Sequence, residues 1–379
     1  MTYSYARTYK TSLILVILIC FNPGTTLASI DDEVAEMSGR VGNVKSLNKK
    51  EKGAWLPVPI PISNPTVGTG LQAALLYLHP KTSTDPTALN PTSGIMGMYT
   101  DSDSWFAGGF HDGNWKDDLY RFRALAGTGK FNLDFFGIGD DSKLRENPIP
   151  YSIATDAIFS QLLRRVPGSK DWYLGIRYSG IRSNVTFDEE ANPEQPTVSD
   201  DAITSSLGMV TNYDSRNNNY YPTTGNYFEL VWAINDEVIG SDFDFRKLST
   251  FYNHYLAISK NAVVALRAHL DDANGDVPFY LLPTLRLRGF PAGLYKDNSM
   301  ISGHVEWRQK PVPRWGYVLF FEAGNVADTI DNILQTETIT AYGGGIRWQV
   351  TENKQLNLGL DIGFSEGDKA IYVNIGERF

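Results

Sequence analysis

Arg288 is the residue whose setting promises most chemistry. It stands in Leu287-Arg288-Gly289-Phe290, inside a 29-residue stretch, Asp271–Ser299, that separates two alternating segments. A guanidinium is always charged and carries five donors in a planar fork that matches a carboxylate. Two acids lie within its reach. Alternation puts Glu306 on one face of Met300–Gln309 with His304 and Arg308, and Glu322 opposite Phe321 on Gly316–Gly324. A turn centred near residue 313 sets Glu322 across from His304, which makes Glu306 its diagonal neighbour at about 7–8 Å between backbones. One guanidinium can meet either acid, and the spacing does not choose between them. Gly289 lets the chain turn sharply behind the arginine, and Phe290 has Val318 or Phe320 to pack on. The chemistry is charge pairing that anchors a long loop.

Bond-making chemistry finds no support. There is no Gly-x-Ser-x-Gly elbow, no His-Glu-x-x-His and no complete phosphate loop, since Gly127-Thr128-Gly129-Lys130 has the wrong spacing. The histidines show no paired ligand spacing, and Asp271-Asp272-Ala273-Asn274-Gly275-Asp276 is not an EF-hand. No catalytic residue, metal or cofactor is expected. A net charge of −9 without a basic stripe excludes nucleic acid as a partner.

The elements that position Arg288 are strands. With 34 glycines and 12% aromatic residues in 379, the composition favours sheet. In Gln355–Phe364, Leu356, Leu358, Leu360, Ile362 and Phe364 share one face, against Asn357, Gly359, Asp361 and Gly363. Trp172, Leu174, Ile176 and Tyr178 likewise oppose Gly175, Arg177 and Ser179. A large apolar wall backed by arginines and glycines suits a lipid-facing exterior and a wet interior. Sixteen such segments run from Val67–Leu78 to Ala370–Phe379, with Asp118–Ala126 and Lys130–Phe136 read as two strands joined by a turn at 127–129. The expected fold is all-β: a sixteen-stranded antiparallel transmembrane barrel, closed by pairing the first of these strands with the last, at Gly376 and Phe379. Tight turns at 101–103, 127–129, 166–170, 260–261 and 351–354 belong to the periplasmic end, and long loops at 79–91, 137–150, 184–200 and 271–299 to the outside. Residues 214–225 make an unusually long periplasmic turn. Because a sixteen-stranded barrel leaves an aqueous channel unless something fills it, the sixth loop is expected to fold into the lumen.

The N-terminus reads as a secretory signal over residues 1–28. Arg7 and Lys10 precede an apolar run, Leu13–Phe21, and a small-residue cleavage site at Ala28. The run is too short to span a bilayer as a helix, and it holds the sole cysteine, Cys20. Residues 29–62 read as a polar tail ending in a Pro-rich linker, and 63–379 as the barrel.

Three segments carry a resemblance. Leu287-Arg288-Gly289-Phe290 resembles the Val-Arg-Gly-Phe/Tyr motif of the BamA/TamA superfamily of outer-membrane assembly and translocation barrels, also called the bacterial surface antigen family. Phe320-Phe321-Glu322-Ala323-Gly324 is similar to its Phe-x-Asp-x-Gly strand, with Glu in place of Asp. Tyr213-Asp214-Ser215-Arg216 and Tyr221-Pro222-Thr223-Thr224-Gly225 resemble its long periplasmic turn. The resemblance implies a non-enzymatic role in protein assembly or translocation in the bacterial outer membrane. Its partners would be outer-membrane lipid, protein clients and a separate periplasmic subunit, because residues 29–62 are too short for the family's POTRA modules. The alternative is a porin-like diffusion channel.

Overall fold

Strict alternation forces these segments to bury one face and expose the other, and sixteen of them join edge to edge. The structure is a computed structural model that describes residues 53–80, 91–187, 196, 201–218, 221–349, 357–366 and 369–379. The segments read as a signal peptide and tail, up to residue 52, lie outside the described residues. The strands are β1 (Ala54–Asn64), β2 (Gly68–Leu78), β3 (Thr92–Thr100), β4 (Trp105–Trp115), β5 (Tyr120–Phe135), β6 (Ile149–Arg165), β7 (Trp172–Phe187), β8 (Ala202–Asp214), β9 (Gly225–Asn235), β10 (Phe245–Ser259), β11 (Ala262–Gly275), β12 (Ser299–Val312), β13 (Trp315–Ala327), β14 (Ile339–Gln349), β15 (Asn357–Ser365) and β16 (Lys369–Ile375). They form one antiparallel sheet in sequence order. Its exterior exposes Ile95, Ile158, Ile176, Met209, Leu319, Phe321 and Ile362. Trp55, Trp115, Trp172 and Trp315 ring one end, and Tyr99, Trp105 and Tyr342 the other, the arrangement of aromatic girdles at two lipid–water boundaries.

Sixteen is the expected number, but two expected boundaries were wrong and offset each other. Asp118–Ala126 and Lys130–Phe136 are one strand, β5, because Gly127–Gly129 does not turn. Gly127 pairs with Gly108 on one side and Ala157 on the other. A Cβ on Gly127 would come within 2.5 Å of the Phe106 ring, so this glycine makes room for an inward aromatic. The second error is β1, read as a linker. Its partner is β2, over the whole span Ala54↔Leu78 to Asn64↔Gly68. Leu56 and Val58 pack inward on a core that includes Leu76, Met96 and Phe110.

The extra strand reassigns the ends. The connection at 79–91 lies at the same end as the short turns 116–119, 166–171, 260–261 and 313–314, hereafter the turn end, and not among the outside loops. The 101–104 connection moves to the opposite, loop end. The long 215–224 segment keeps its place at the turn end.

Val67–Leu78 does not pair with Ala370–Phe379 as expected, because β2 is occupied by β1 on one side and β3 on the other. The edge strands are β1 and β16. Their Cα atoms approach within 8 Å, yet no ladder joins them among the described residues. Pro57, Pro59 and Pro61 explain why. Antiparallel strands send successive N–H groups to alternate sides, and proline has none. Since the β2 ladder runs unbroken through 54–64, all three prolines occupy positions whose N–H would face away from β2, towards β16. This edge offers carbonyls there but no donors. At the other edge Gly376 takes φ +81°, and its N–H bonds the Asn357 carbonyl at 2.7 Å, turning residues 377–379 off the strand line.

Pro59→Val returns one donor to the seam in a residue suited to strands. It should stabilise the folded barrel by about 0.5–1.5 kcal/mol, the net worth of one hydrogen bond, read as a rise in the temperature at which unheated gel mobility is lost. A fall would mean that the restored N–H meets no acceptor on β16 and that missing donors are not what keeps the seam unladdered.

Candidate functional site

The connection between β11 and β12, loop 6, crosses between opposite walls on the polar face of the sheet. Near its start, Phe279 packs against Phe135 and Tyr151, at ring separations of 5.1 and 5.4 Å, and the Tyr280 hydroxyl meets Ser183 Oγ of β7 at 2.7 Å. Further along, Leu285, Leu287 and Phe290 join Met300, Val326, Ile339 and Ala341 of β12–β14 in a second apolar cluster. Phe290 therefore does not pack on Val318 or Phe320 as expected; its ring lies 5.4 Å from Tyr295. The place over Phe320 is taken by the Arg288 guanidinium, 3.3 Å from the ring centroid, where the flat cation stacks on the aromatic face.

Arg288 sits between these apolar contacts and is 1% exposed. Its backbone N–H donates to Glu322 Oε2 at 2.6 Å, and its Nε donates to Glu322 Oε1 at 2.7 Å. Nη1 donates to Asp361 Oδ2 at 3.1 Å. Nη2 lies 2.7 Å from Glu306 Oε1, an ion contact with no aligned hydrogen bond. The arginine thus meets both acids. The register is the one that a turn near residue 313 implies, with His304 opposite Glu322, and His304 Nδ1 is 3.3 Å from Glu322 Oε1.

The strand alternation explains how so many charges converge. Glu306, Arg308, Glu322, Arg347 and Asp361 all occupy inward positions, between exposed Val305, Phe321, Ile346, Leu360 and Ile362. Isolated charges in so dry a place would be prohibitive, and each is paired. Glu306 accepts from Arg308 Nε at 3.0 Å, Asp361 pairs with Arg347, and Arg347 Nε donates to Glu377 at 2.9 Å. Arg308 Nη2 donates to the main-chain oxygen of Phe379 at 2.6 Å. Arg378 approaches Glu322 at 3.7 Å and donates to the Arg286 carbonyl at 2.9 Å. Four guanidiniums (288, 308, 347, 378) balance four carboxylates (306, 322, 361, 377).

Two glycines permit the approach. Gly289 has φ +120°, and a Cβ there would lie 2.9 Å from the Phe364 backbone; a Cβ on Gly363 would meet Arg288 at the same distance. Loop and strand backbones touch, and the Gly289 N–H donates to the Tyr372 hydroxyl of β16 at 3.0 Å. Gly376 and Phe379, expected at a seam between paired strands, serve otherwise. Gly376 ends β16, and Phe379 turns inward to lie 6.0 Å from His304 and beside Tyr255 and Ala265. Sequence reasoning missed Asp361, Arg347, Glu377 and Arg378 as members of the site. The available signal was a charged residue on the polar side of an otherwise greasy strand, which Asp361 and Arg347 both are.

Removing one member strands its partner in a dry site. Arg288→Ala and Glu322→Ala should each destabilise the folded barrel by about 3–5 kcal/mol, and the double change should fall well short of the sum. Glu306→Ala should be comparable, since it faces two arginines. Glu322→Asp should also weaken the site, because both oxygens of Glu322 are engaged. Loss of heat-resistant gel mobility reads all five variants; additive losses for Arg288 and Glu322 would mean that the two act separately.

Residues 128–379 match the Omp85 superfamily domain. Among solved structures, the chain resembles BamA from Haemophilus ducreyi lacking POTRA domains 1–3, with a TM-score of 0.55 and 15% identity, covering 91% of this chain and 76% of that one. It also resembles CdiB from Acinetobacter baumannii (TM-score 0.55, 12% identity, 85% of this chain and 59% of that one) and CdiB from Escherichia coli (TM-score 0.59, 10% identity, 87% and 62%). The chain spans about three-fifths of each CdiB. No curated protein sequence matches it. At these identities the neighbours speak for the fold, and the domain match speaks for the family: the chain belongs to the Omp85 superfamily of outer-membrane barrels.

Proposed function

We propose that this barrel assists the passage of polypeptide into or across the outer membrane, by conformational change and without covalent chemistry. The observation that supports this most is the pairing of a tightly held inner loop with an unladdered seam. Loop 6 bridges β5–β7 to β12–β15 on the polar face and is locked to β12, β13 and β15, while β1 and β16 stand side by side without a continuous ladder among the described residues. A seam without a continuous backbone ladder has fewer bonds to break than any other pair of neighbouring strands, so it is a built-in place for sideways opening and for contact with an incoming strand. In this reading residues 1–28 are a cleaved export signal, and a separate periplasmic subunit delivers clients.

The test is reconstitution of the full-length protein in phospholipid vesicles with an urea-unfolded small outer-membrane barrel as client. Client folding should run several-fold faster than in protein-free vesicles. Cysteine pairs that crosslink β1 to β16 should abolish the gain, and reductant should restore it. Single-channel traces should show small, flickering steps. A steady, large conductance with no effect on client folding would instead identify a diffusion channel.

A further inference from the structure

The exterior of β2–β5 carries a polar cluster that neither loop 6 nor the seam uses. His79, just beyond β2, and His111 of β4 are bridged by Ser93 of β3: His79 Nε2 lies 2.8 Å from Ser93 Oγ, and Ser93 Oγ lies 2.9 Å from His111 Nδ1. The two rings meet edge to face at 5.6 Å. All three residues share the outward parity of exposed Leu75, Ile95 and Trp105. They sit at the turn end, within the aromatic girdle. Tyr77 contacts His79 at 4.8 Å and Trp55 at 5.0 Å, Phe122 flanks His111 at 6.2 Å, and Trp115 stacks on Tyr120. Further along that girdle, Lys116 and Arg164 reach over the Tyr120 ring, so it is edged with cations where headgroups lie.

The hydrogen-bond inventory of the cluster defines its ligand. With both imidazoles neutral, the serine accepts from one ring and donates to the other, which leaves one free ring donor and one free ring acceptor. A single added proton converts the free acceptor to a donor without breaking the chain. The cluster then presents two outward N–H groups and one positive charge. A second proton would remove the serine's acceptor and set two cations 5.6 Å apart at the ring centres. Two donors and one charge fit one phosphodiester. Gly113 leaves the site open: a Cβ there would stand 2.7 Å from His111 Nε2. Burial and the neighbouring His111 both lower the His79 pKa, so without an anion the pair holds the added proton less readily. The groups facing the pair are the Tyr77 phenol on β2 and the Phe122 ring on β5. Asp112 and Arg123 lie on the opposite face, paired at 3.0 Å; Asp117 lies with Lys116 in the turn.

We propose that His79, Ser93 and His111 bind the phosphodiester of an anionic glycerophospholipid in the leaflet at the turn end.

Because the bound anion favours the added proton, binding takes up a proton, and affinity falls as pH rises. Native mass spectrometry of the full-length barrel in detergent, titrated with dioleoyl phosphatidylglycerol, should show about tenfold tighter binding at pH 5.5 than at pH 8.0. Dioleoyl phosphatidylcholine, whose charge is internally neutralised, should bind weakly at both. His79→Gln and His111→Gln should flatten the pH dependence, and Gly113→Ala should weaken binding at pH 5.5 with both histidines in place. Unheated gel mobility verifies that each variant is folded, and Gly113→Ala decides the matter should the histidine variants misfold. An unchanged pH dependence in the variants would overturn the proposal. So would displacement of the lipid by an equal concentration of inorganic phosphate, which would make this a free-anion site.

Discussion

The structure depends on one arginine buried against carboxylates where water cannot help either. Desolvating charges costs several kcal/mol per ion, and the mutual attraction recovers this only when geometry is good and remaining hydrogen-bond capacity is filled. Arg288 meets that condition through its side chain, its backbone N–H and the ring of Phe320. Such a network adds little net stability over an apolar packing, but it penalises any arrangement that breaks it. Its effect is therefore to specify where loop 6 sits. The same carboxylates draw in Arg308, Arg347 and Arg378, so the placement of one loop tip fixes β12–β15 and the segment after β16 together.

That coupling bears on the seam. A barrel ordinarily closes through a backbone ladder, which removes every edge. Here β1 faces its neighbour with three prolines, and β16 ends at a left-handed glycine. What holds the end of β16 is side-chain chemistry from inside: Glu377 with Arg347 and Asn357, Phe379 beneath Arg308, and Tyr372 to the Gly289 N–H. A ladder loses its bonds one after another, whereas a shared charge network lets go as a unit. Loop 6 and the seam are tied through the same few residues, so moving one alters the cost of moving the other.

Much of this was legible in the sequence because the barrel's two faces demand opposite residue types. The alternation of β7 and β15 gave both the element and its polar side, and Arg288, Glu306 and Glu322 could be brought together from parity and one turn position. The failures have physical causes. In β1, Pro57, Pro59 and Pro61 look like a linker because proline is hostile to strands, yet one unpartnered edge tolerates them at alternate positions. In β5, Gly127 and Gly129 look like a turn, but Gly127 clears space for the Phe106 ring and Gly129 for the Trp105 carbonyl, neighbours invisible from local pattern. Phe290 was assigned to the Phe320 site because apolar contact was assumed; the guanidinium stacks there better. Arg378 and Glu377 lie beyond the last strand, where periodicity carries no information about an inward turn.

The claim that loop 6 is locked inside the barrel is tested most directly by amide hydrogen exchange of the folded protein in a bilayer, resolved at residues 285–292. The Arg288 and Gly289 N–H groups are engaged by Glu322 and Tyr372, so this segment should be protected as strongly as β12 and β13, and Glu322→Ala should release it without exposing those strands. Exchange of 285–292 at the rate of an open loop in the unaltered protein would contradict the account.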